Sequence, residues 1–122
     1  MRHILIIGAG KSTGVLVDYL LNKSKEHNLQ LLIADKNLQS AQYLSKDHEN
    51  ATALELDIFE PEKRKKQIQK ADIVISMLPA RFHMEVARDC VAFNKNMVTA
   101  SYVSPEMESL DKEVKEKGLI FM

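Results

Sequence analysis

Three glycines and one carboxylate carry the chemistry that is legible in this sequence. Gly8, Gly10 and Gly14 stand in the stretch His3-Ile-Leu-Ile-Ile-Gly8-Ala-Gly10-Lys-Ser-Thr-Gly14, directly behind the apolar run Ile4–Ile7. A chain that turns sharply through glycine from a strand into a helix aims backbone N–H groups and the positive end of the helix dipole at one point, and that point suits a phosphate. Lys11, Ser12 and Thr13 share the turn with the glycines. Asp35 follows 21 residues beyond Gly14, at the end of the second apolar run, Leu29–Ala34. A carboxylate there can accept hydrogen bonds from both hydroxyls of an adenosine ribose. Pyrophosphate turn and ribose carboxylate together read as a Rossmann dinucleotide-binding unit.

The spacing is not the commonest one. Gly8 and Gly10 fit the first two positions of G-x-G-x-x-G, but the third glycine comes one residue late and Thr13 fills its usual place. An ordinary glycine turn also explains the loop taken alone; its place between a strand and a helix, ahead of Asp35, favours the dinucleotide. Gly10-Lys11-Ser12 imitates the end of a P-loop, but that motif requires a glycine where this chain has Leu5. ATP hydrolysis through a P-loop is therefore set aside. Lys36 can pair with the 2′-phosphate of NADP, so the expected cofactor is NAD or NADP, with Asp35 favouring NAD. Asn37 beside them leaves Asp35 a second reading as a turn or cap residue. Asp57 and Ile58 follow a third strand, where an adenine can be gripped; a plain turn aspartate is an equal reading. Ser76, Met77, Leu78 and Pro79 end a fourth strand. In the order 3-2-1-4-5-6 that end lies beside the first strand and faces the nicotinamide half.

The elements that must hold these residues alternate along the chain. Val15–Leu21 reads as a wide-faced buried helix, ended by the polar stretch Asn22–Asn28. Leu38, Ala41 and Leu44 mark one face of a short second helix. Thr52, Leu54 and Leu56 alternate with Ala53 and Glu55, as in a strand wet on one face and near a sheet edge. Glu60-Pro61-Glu62 opens a third helix with Pro61 in its first turn. The run Lys63–Lys66 covers a full helical turn and reads as a solvated helix, not a binding patch. Phe82, Val86, Cys90 and Phe93 fall on one face of a fourth helix, so Cys90 reads as a packed apolar side chain. Arg81 and His83 lie in its first turn. Met97–Ala100 is a fifth strand, Ser104-Pro105 opens a fifth helix ended by Gly118, and Leu119–Met122 starts a sixth apolar strand. The expected architecture is α/β: a doubly wound parallel sheet of six strands, order 3-2-1-4-5-6, in three layers α/β/α, forming one dinucleotide-binding domain over residues 1–122.

A chain of 122 residues has room for one domain with a real core. Lys plus Arg and Asp plus Glu number 17 each, so no net field draws it to nucleic acid or an anionic membrane. No apolar stretch reaches the length of a membrane span, and no basic leader precedes the first strand. One cysteine offers no disulfide framework and suits a reducing, cytoplasmic location. No metal-ligating set stands among the candidate residues.

The segment Val74-Ile75-Ser76-Met77-Leu78-Pro79 leading to Phe82-His83, with the turn Ser101-Tyr102-Val103-Ser104-Pro105, resembles the saccharopine dehydrogenase family. The likeness is to the nucleotide-binding domain of its saccharopine reductase-type members and covers essentially the whole chain. Lys11-Ser12-Thr13 departs from the family's more hydrophobic loops, and NADP-using members tend to carry an arginine near the strand end that Asp35 closes here. The resemblance implies hydride transfer between a nicotinamide ring and a carbon bearing a secondary amine, through an imine, on an amino acid such as saccharopine. It implies that Ser101 and Tyr102 stand on the substrate side of the nicotinamide, with His83 a further candidate. It also implies that most substrate-binding residues belong to a second domain. With the apolar ending Leu119–Met122, the expectation is a fragment of a longer enzyme, inactive alone, whose strand edge pairs with a second copy as a homodimer. A different class shares the glycine loop and the acidic residue: the nucleotide-sensing domain of potassium-transport regulators, in which the Ser101–Pro105 turn has no evident use.

Overall fold

The apolar runs form the middle of a parallel sheet. The computed structural model describes residues 2–8, 11–45, 48–78, 82–99 and 116–118. Along them run β1 (Arg2–Ile7), α1 (Lys11–His27), β2 (Leu29–Asp35), α2 (Leu38–Ser45), β3 (Ala51–Glu55), α3 (Pro61–Lys70), β4 (Ile73–Ser76), α4 (His83–Ala92) and β5 (Asn96–Thr99). The described strands pair in parallel, in the order β3-β2-β1-β4-β5. Parallel neighbours need long crossovers, and the helices between the strands supply them.

β1 lies at the centre. Ile4 pairs with Leu31 on one side and Ile73 on the other, and Ile7 pairs with Ala34 and Ser76. Successive side chains of a strand point to opposite faces. Leu5 and Ile7 therefore enter one core with Ile68 of α3 and Val86 and Cys90 of α4. Ile4 and Ile6 enter the other with Val17 and Leu21 of α1 and Ala41 and Leu44 of α2. Both faces are covered, which an alternating strand could not satisfy and the unbroken run Ile4–Ile7 does. β3 stands at the edge with half-buried to exposed side chains, as its alternation predicts.

The order 3-2-1-4-5 is the one expected, but the described sheet has five strands rather than six. The sixth strand and most of the fifth helix, expected over 105–122, lie outside the described residues. Glu116 is helical and Gly118 has φ +68°, in keeping with a helix that ends there.

Two helices differ from expectation. In α1, Val17 and Leu21 are buried while Val15 and Tyr19 are 77% and 61% exposed. A helix lying on a sheet buries one stripe, not its circumference, so the wide apolar face is only partly covered. The polar stretch from Asn22 continues α1 to His27 rather than ending it. Lysine and glutamate are good helix formers, and Ser24 folds its hydroxyl onto the Leu21 carbonyl at 2.8 Å. Asn28, at φ +55°, ends the helix in the left-handed conformation that asparagine tolerates. In α3, Lys63, Lys65 and Lys66 are solvated as expected, but Arg64 is buried.

Cys90 is packed as its helical stripe predicts, with no exposed surface. Burial, and secondarily the charge of Asp89, push its thiol up from 9.0 to about 12. The folded state thus holds the thiol proton more tightly than the unfolded state. Stability from this source is intact below pH 9.0 and declines as pH rises towards 12. A thiol reagent at neutral pH is expected to leave native Cys90 unlabelled and to react once urea unfolds the chain. Cys90→Ala should lower stability by about 1–2 kcal/mol through the cavity it opens and leave nucleotide affinity unchanged. Rapid labelling of the native protein would contradict this packing.

Candidate functional site

The sheet's hydrogen bonding runs one step beyond the strands at their C-terminal ends. Gly8 N–H donates to Ala34 O, Leu56 N–H to Asp35 O and Met77 N–H to Ile7 O, each at 2.8 Å. The upper edge from β3 across to β4 is therefore held in register where the candidate residues stand. The chain runs outward from β1 through β2 to β3, then crosses back to β4 on the other side of β1. That reversal leaves a crevice at the C-terminal ends of β1 and β4, where open α/β sheets bind ligands.

Gly8 makes the exit from β1. Its φ is +102°, and an added Cβ would lie 3.1 Å from the Met77 carbonyl carbon and 3.3 Å from Leu78 N. A side chain there is strained by the φ and would press the Met77–Leu78 backbone aside by a few tenths of an ångström, so glycine suits the position. α1 then starts at Lys11, so the N–H groups of Lys11, Ser12 and Thr13 fall in its first turn and have no acceptor within the helix. Thr13 is buried, and its hydroxyl donates to Gly8 O at 2.8 Å. Its side chain pins the turn, and its backbone N–H is what it can offer a phosphate. Gly14 follows directly, where an added Cβ would meet Leu44 Cδ2 of α2 at 3.5 Å.

Beside this turn is a cavity of ≈ 260 Å³. Ile7 and Asp35 line it from β1 and β2, Lys36 from just after β2, Leu56–Phe59 from the loop after β3, and Leu78 and Phe82 from the segment between β4 and α4. Asp35 Oδ2 accepts the Asn37 N–H at 2.8 Å, and Asn37 Oδ1 in turn accepts the Ser40 N–H at 3.3 Å, capping α2. Asp35 is thus a turn residue as well as a cavity residue. Asp57 shapes the loop: its Oδ1 accepts Phe59 N–H and its carbonyl accepts Glu60 N–H, both at 2.9 Å. The rings of Phe59 and Phe82 meet edge to face, 5.5 Å apart. Arg64 lies behind this loop and donates to Ile58 O at 2.6 Å. A second cavity of ≈ 260 Å³ opens at the opposite end of the sheet, against Gln30, Thr52, Gln67 and Lys70.

Of the residues singled out from the sequence, Asp35, Lys36, Asp57, Ile58 and Leu78 come together in one cavity. Ser76 does not face it: the residue is fully buried in β4, and the half-buried Met77 and Leu78 form the strand end. Gly10, Pro79, Ser101 and Tyr102 lie outside the described residues, and His83 opens α4. Sequence reasoning missed Phe59, Arg64 and the cavity role of Phe82. An exposed aromatic two residues after a turn aspartate was the available signal for Phe59.

Fold and site define a nicotinamide-dinucleotide-binding domain of the Rossmann type. The family model described as the saccharopine dehydrogenase NADP binding domain matches residues 4–122, and the chain belongs to that family. It is 33% identical over 119 residues to mouse mitochondrial alpha-aminoadipic semialdehyde synthase, covering 97% of this chain and 12% of that protein. It is 31% identical over 121 residues to the NADP(+), L-glutamate-forming saccharopine dehydrogenase of Pyricularia oryzae, covering 99% of this chain and 26% of the relative. The apo structure of the L-Glu-forming saccharopine dehydrogenase from Saccharomyces cerevisiae superposes with a TM-score of 0.89 at 26% identity, over 100% of this chain and 26% of that one. The chain thus spans about a quarter or less of these relatives. The family match selects the dehydrogenase-type domain over the potassium-transport regulator. Among the described residues no helix is long and apolar enough to cross a membrane.

The two described glycines of the loop are expected to respond in opposite directions. Gly8→Ala forces a side chain into a φ of +102° and against the Met77–Leu78 backbone, at a cost of about 2–3 kcal/mol, and should displace the turn into α1. Gly14→Ala makes an ordinary contact with Leu44 and should leave stability equal or raise it by about 0.5–1 kcal/mol. Urea denaturation of both variants checks the pair. Equal damage from both would mean that α1 and α2 are closer at Gly14 than this geometry allows.

Proposed function

We propose that this chain holds NAD(H) for an amino-acid dehydrogenase acting on a CH–NH bond: adenine and its ribose in the cavity behind Asp35, pyrophosphate on the turn from Gly8 to Gly14, nicotinamide at the end of β4. The observation that carries the reading is the convergence of Asp35, Asp57–Ile58 and Leu78, from three separate segments, on one cavity beside the Gly8 turn. The residues present suit such a cofactor. Gly8 turns the chain sharply out of β1 against the end of β4, the first turn of α1 offers unpaired N–H groups to a pyrophosphate, and the cavity sets apolar walls around a carboxylate.

When bound, the nicotinamide exchanges hydride with the carbon that bears the amine nitrogen. The chain's own part is placement. Backbone N–H groups of α1 offset the pyrophosphate charge, Asp35 orients the adenosine ribose with Lys36 beside it, and Met77, Leu78 and Pro79 form the surface next to the nicotinamide. Ser101 and Tyr102, which follow β5, and His83 at the start of α4 stand on the substrate side in this reading. The remaining contacts to the amino acid are assigned to the length of the relatives that this chain does not span. The substrate class, an amino acid carrying a secondary amine, follows from the relatives' saccharopine activity.

NAD is preferred to NADP in this proposal. A 2′-phosphate would stand against the Asp35 carboxylate, and exposed Lys36 offsets only part of that repulsion. Calorimetric titration is expected to give NAD an advantage of about fivefold over NADP. Asp35→Ser retains a side-chain acceptor for the Asn37 N–H and should reverse the order. Clear wild-type preference for NADP would remove Asp35 from the ribose, and failure of both dinucleotides to bind would overturn the assignment of the site.

A further inference from the structure

We infer that Arg64 is a positioning residue for the adenine end of the site: from behind the cavity, its buried guanidinium fixes the Ile58–Phe59 wall relative to α4. The inference rests on the proposed reading of the cavity as the adenine subsite.

Arg64 stands in the second turn of α3 and is 6% exposed. Its Nε and Nη2 both donate to the Asp89 carboxylate on α4, Nη2 at 3.5 Å. Its Nη1 donates to Ile58 O at 2.6 Å and lies 3.6 Å from Glu85 Oε2. One side chain therefore joins α3, α4 and the loop after β3. Each partner leads to a wall of the cavity. The loop supplies Leu56–Phe59, and α4 begins directly after Phe82, whose ring meets Phe59.

Among the described residues, the loop's own hydrogen bonds do not reach α4. Asp57 fixes the shape of the turn, Leu56 N–H ties its start to Asp35 O, and Arg64 N–H ties its end to Glu60 O at 3.0 Å. These bonds set the loop against β2 and α3; apolar packing brings Leu56 and Ile58 into one core with Val86 and Cys90 of α4, and the guanidinium adds the directional tie between the loop backbone and α4. A buried charge is weak evidence for stability, since apolar residues of similar volume often serve as well. What only arginine offers is a planar fork of five donors, able to hold a carboxylate and a carbonyl at once. Lysine can keep the charge beside Asp89 but cannot reproduce that fork.

The experiment titrates ADP-ribose, which carries the adenine half, and nicotinamide mononucleotide, which lacks it, against the wild type and three variants. Arg64→Lys keeps the buried charge pair; the double variant Arg64→Met/Asp89→Leu replaces it with apolar groups and covers the case in which the lysine variant does not fold. Both are checked for native circular dichroism before titration. Affinity for ADP-ribose is expected to fall about tenfold while that for nicotinamide mononucleotide stays at the wild-type value. Unchanged ADP-ribose affinity in a folded variant overturns the inference, and so does an equal fall for both ligands, which would report general loosening. Phe59→Ala separates the two levels of the argument. If it weakens ADP-ribose while the Arg64 variants do not, the cavity reading stands and the role of Arg64 alone fails. If it leaves ADP-ribose untouched, the adenine subsite is elsewhere and the inference fails with it.

Discussion

The upper edge of the sheet depends on how closely the backbone of Gly8 lies to that of Met77 and Leu78. An added Cβ would stand 3.1 Å from the Met77 carbonyl carbon, tighter than most side chains pack, at a φ of +102° that L side chains rarely adopt. The approach joins β1 to β4, neighbours in the sheet though far apart in sequence, just where Met77 N–H bonds Ile7 O. With φ at +102°, Gly8 turns the chain out of the strand, and Thr13 closes the turn by returning its hydroxyl to Gly8 O. A missing side chain, a ladder bond and a buried hydroxyl thus fix where α1 begins. The direction of its free N–H groups follows from these three, so the orientation of that helix end is set by packing before any ligand arrives.

A different balance holds the far wall of the cavity. Exposed ion pairs such as Lys25 with Glu49 at 3.1 Å and Lys63 with Glu60 at 3.3 Å are worth about 0–1 kcal/mol, because water screens them and holding two long side chains costs entropy. Arg64 with Asp89 is another matter, since both are nearly fully buried. Removing either partner from such a pair strands a charge, at about 3–5 kcal/mol. The pair is tolerable because the guanidinium also meets Ile58 O and Glu85. α3 buries little else: of its residues only Arg64 and Ile68 are covered. Its attachment to the domain is correspondingly polar, which ties the loop ahead of it to the electrostatics of α4.

What was legible in the sequence is what depends on periodicity. Ile4–Ile7 and Leu29–Ala34 announced strands covered on both faces, the alternation through Leu54 announced an edge, and Phe82, Val86 and Cys90 announced the buried stripe of α4. What was not legible depends on neighbours distant in sequence. Arg64 sits in a basic run whose composition says solvent, and only the fold brings Asp89, 25 positions later, within reach. Thr13 occupies a fingerprint position, yet whether its hydroxyl turns outward or back to Gly8 is decided by the turn. The apolar width of α1 misled because Val15 and Tyr19 lie off the stripe that meets the sheet. Asp57 was readable as either a turn residue or a cavity residue, and both descriptions apply.

Asp35 shows the same double use, and there it bears on the choice of cofactor. The family's description names NADP, and a 2′-phosphate is most easily admitted where the strand end is basic or can move. Here one carboxylate oxygen is anchored by the Asn37 N–H, and Asn37 itself caps α2 through the Ser40 N–H. Swinging the carboxylate aside would break a charge-assisted hydrogen bond and loosen the start of the next helix. Leaving it in place sets two negative charges together inside a cavity with apolar walls. Lys36 is exposed, so its compensation is screened by solvent and falls further as salt rises. In the proposed site, discrimination at the ribose is therefore a property of how α2 begins rather than of the glycine turn. A change at Asn37 that frees the Asp35 carboxylate would alter cofactor choice without touching any residue that contacts the phosphates.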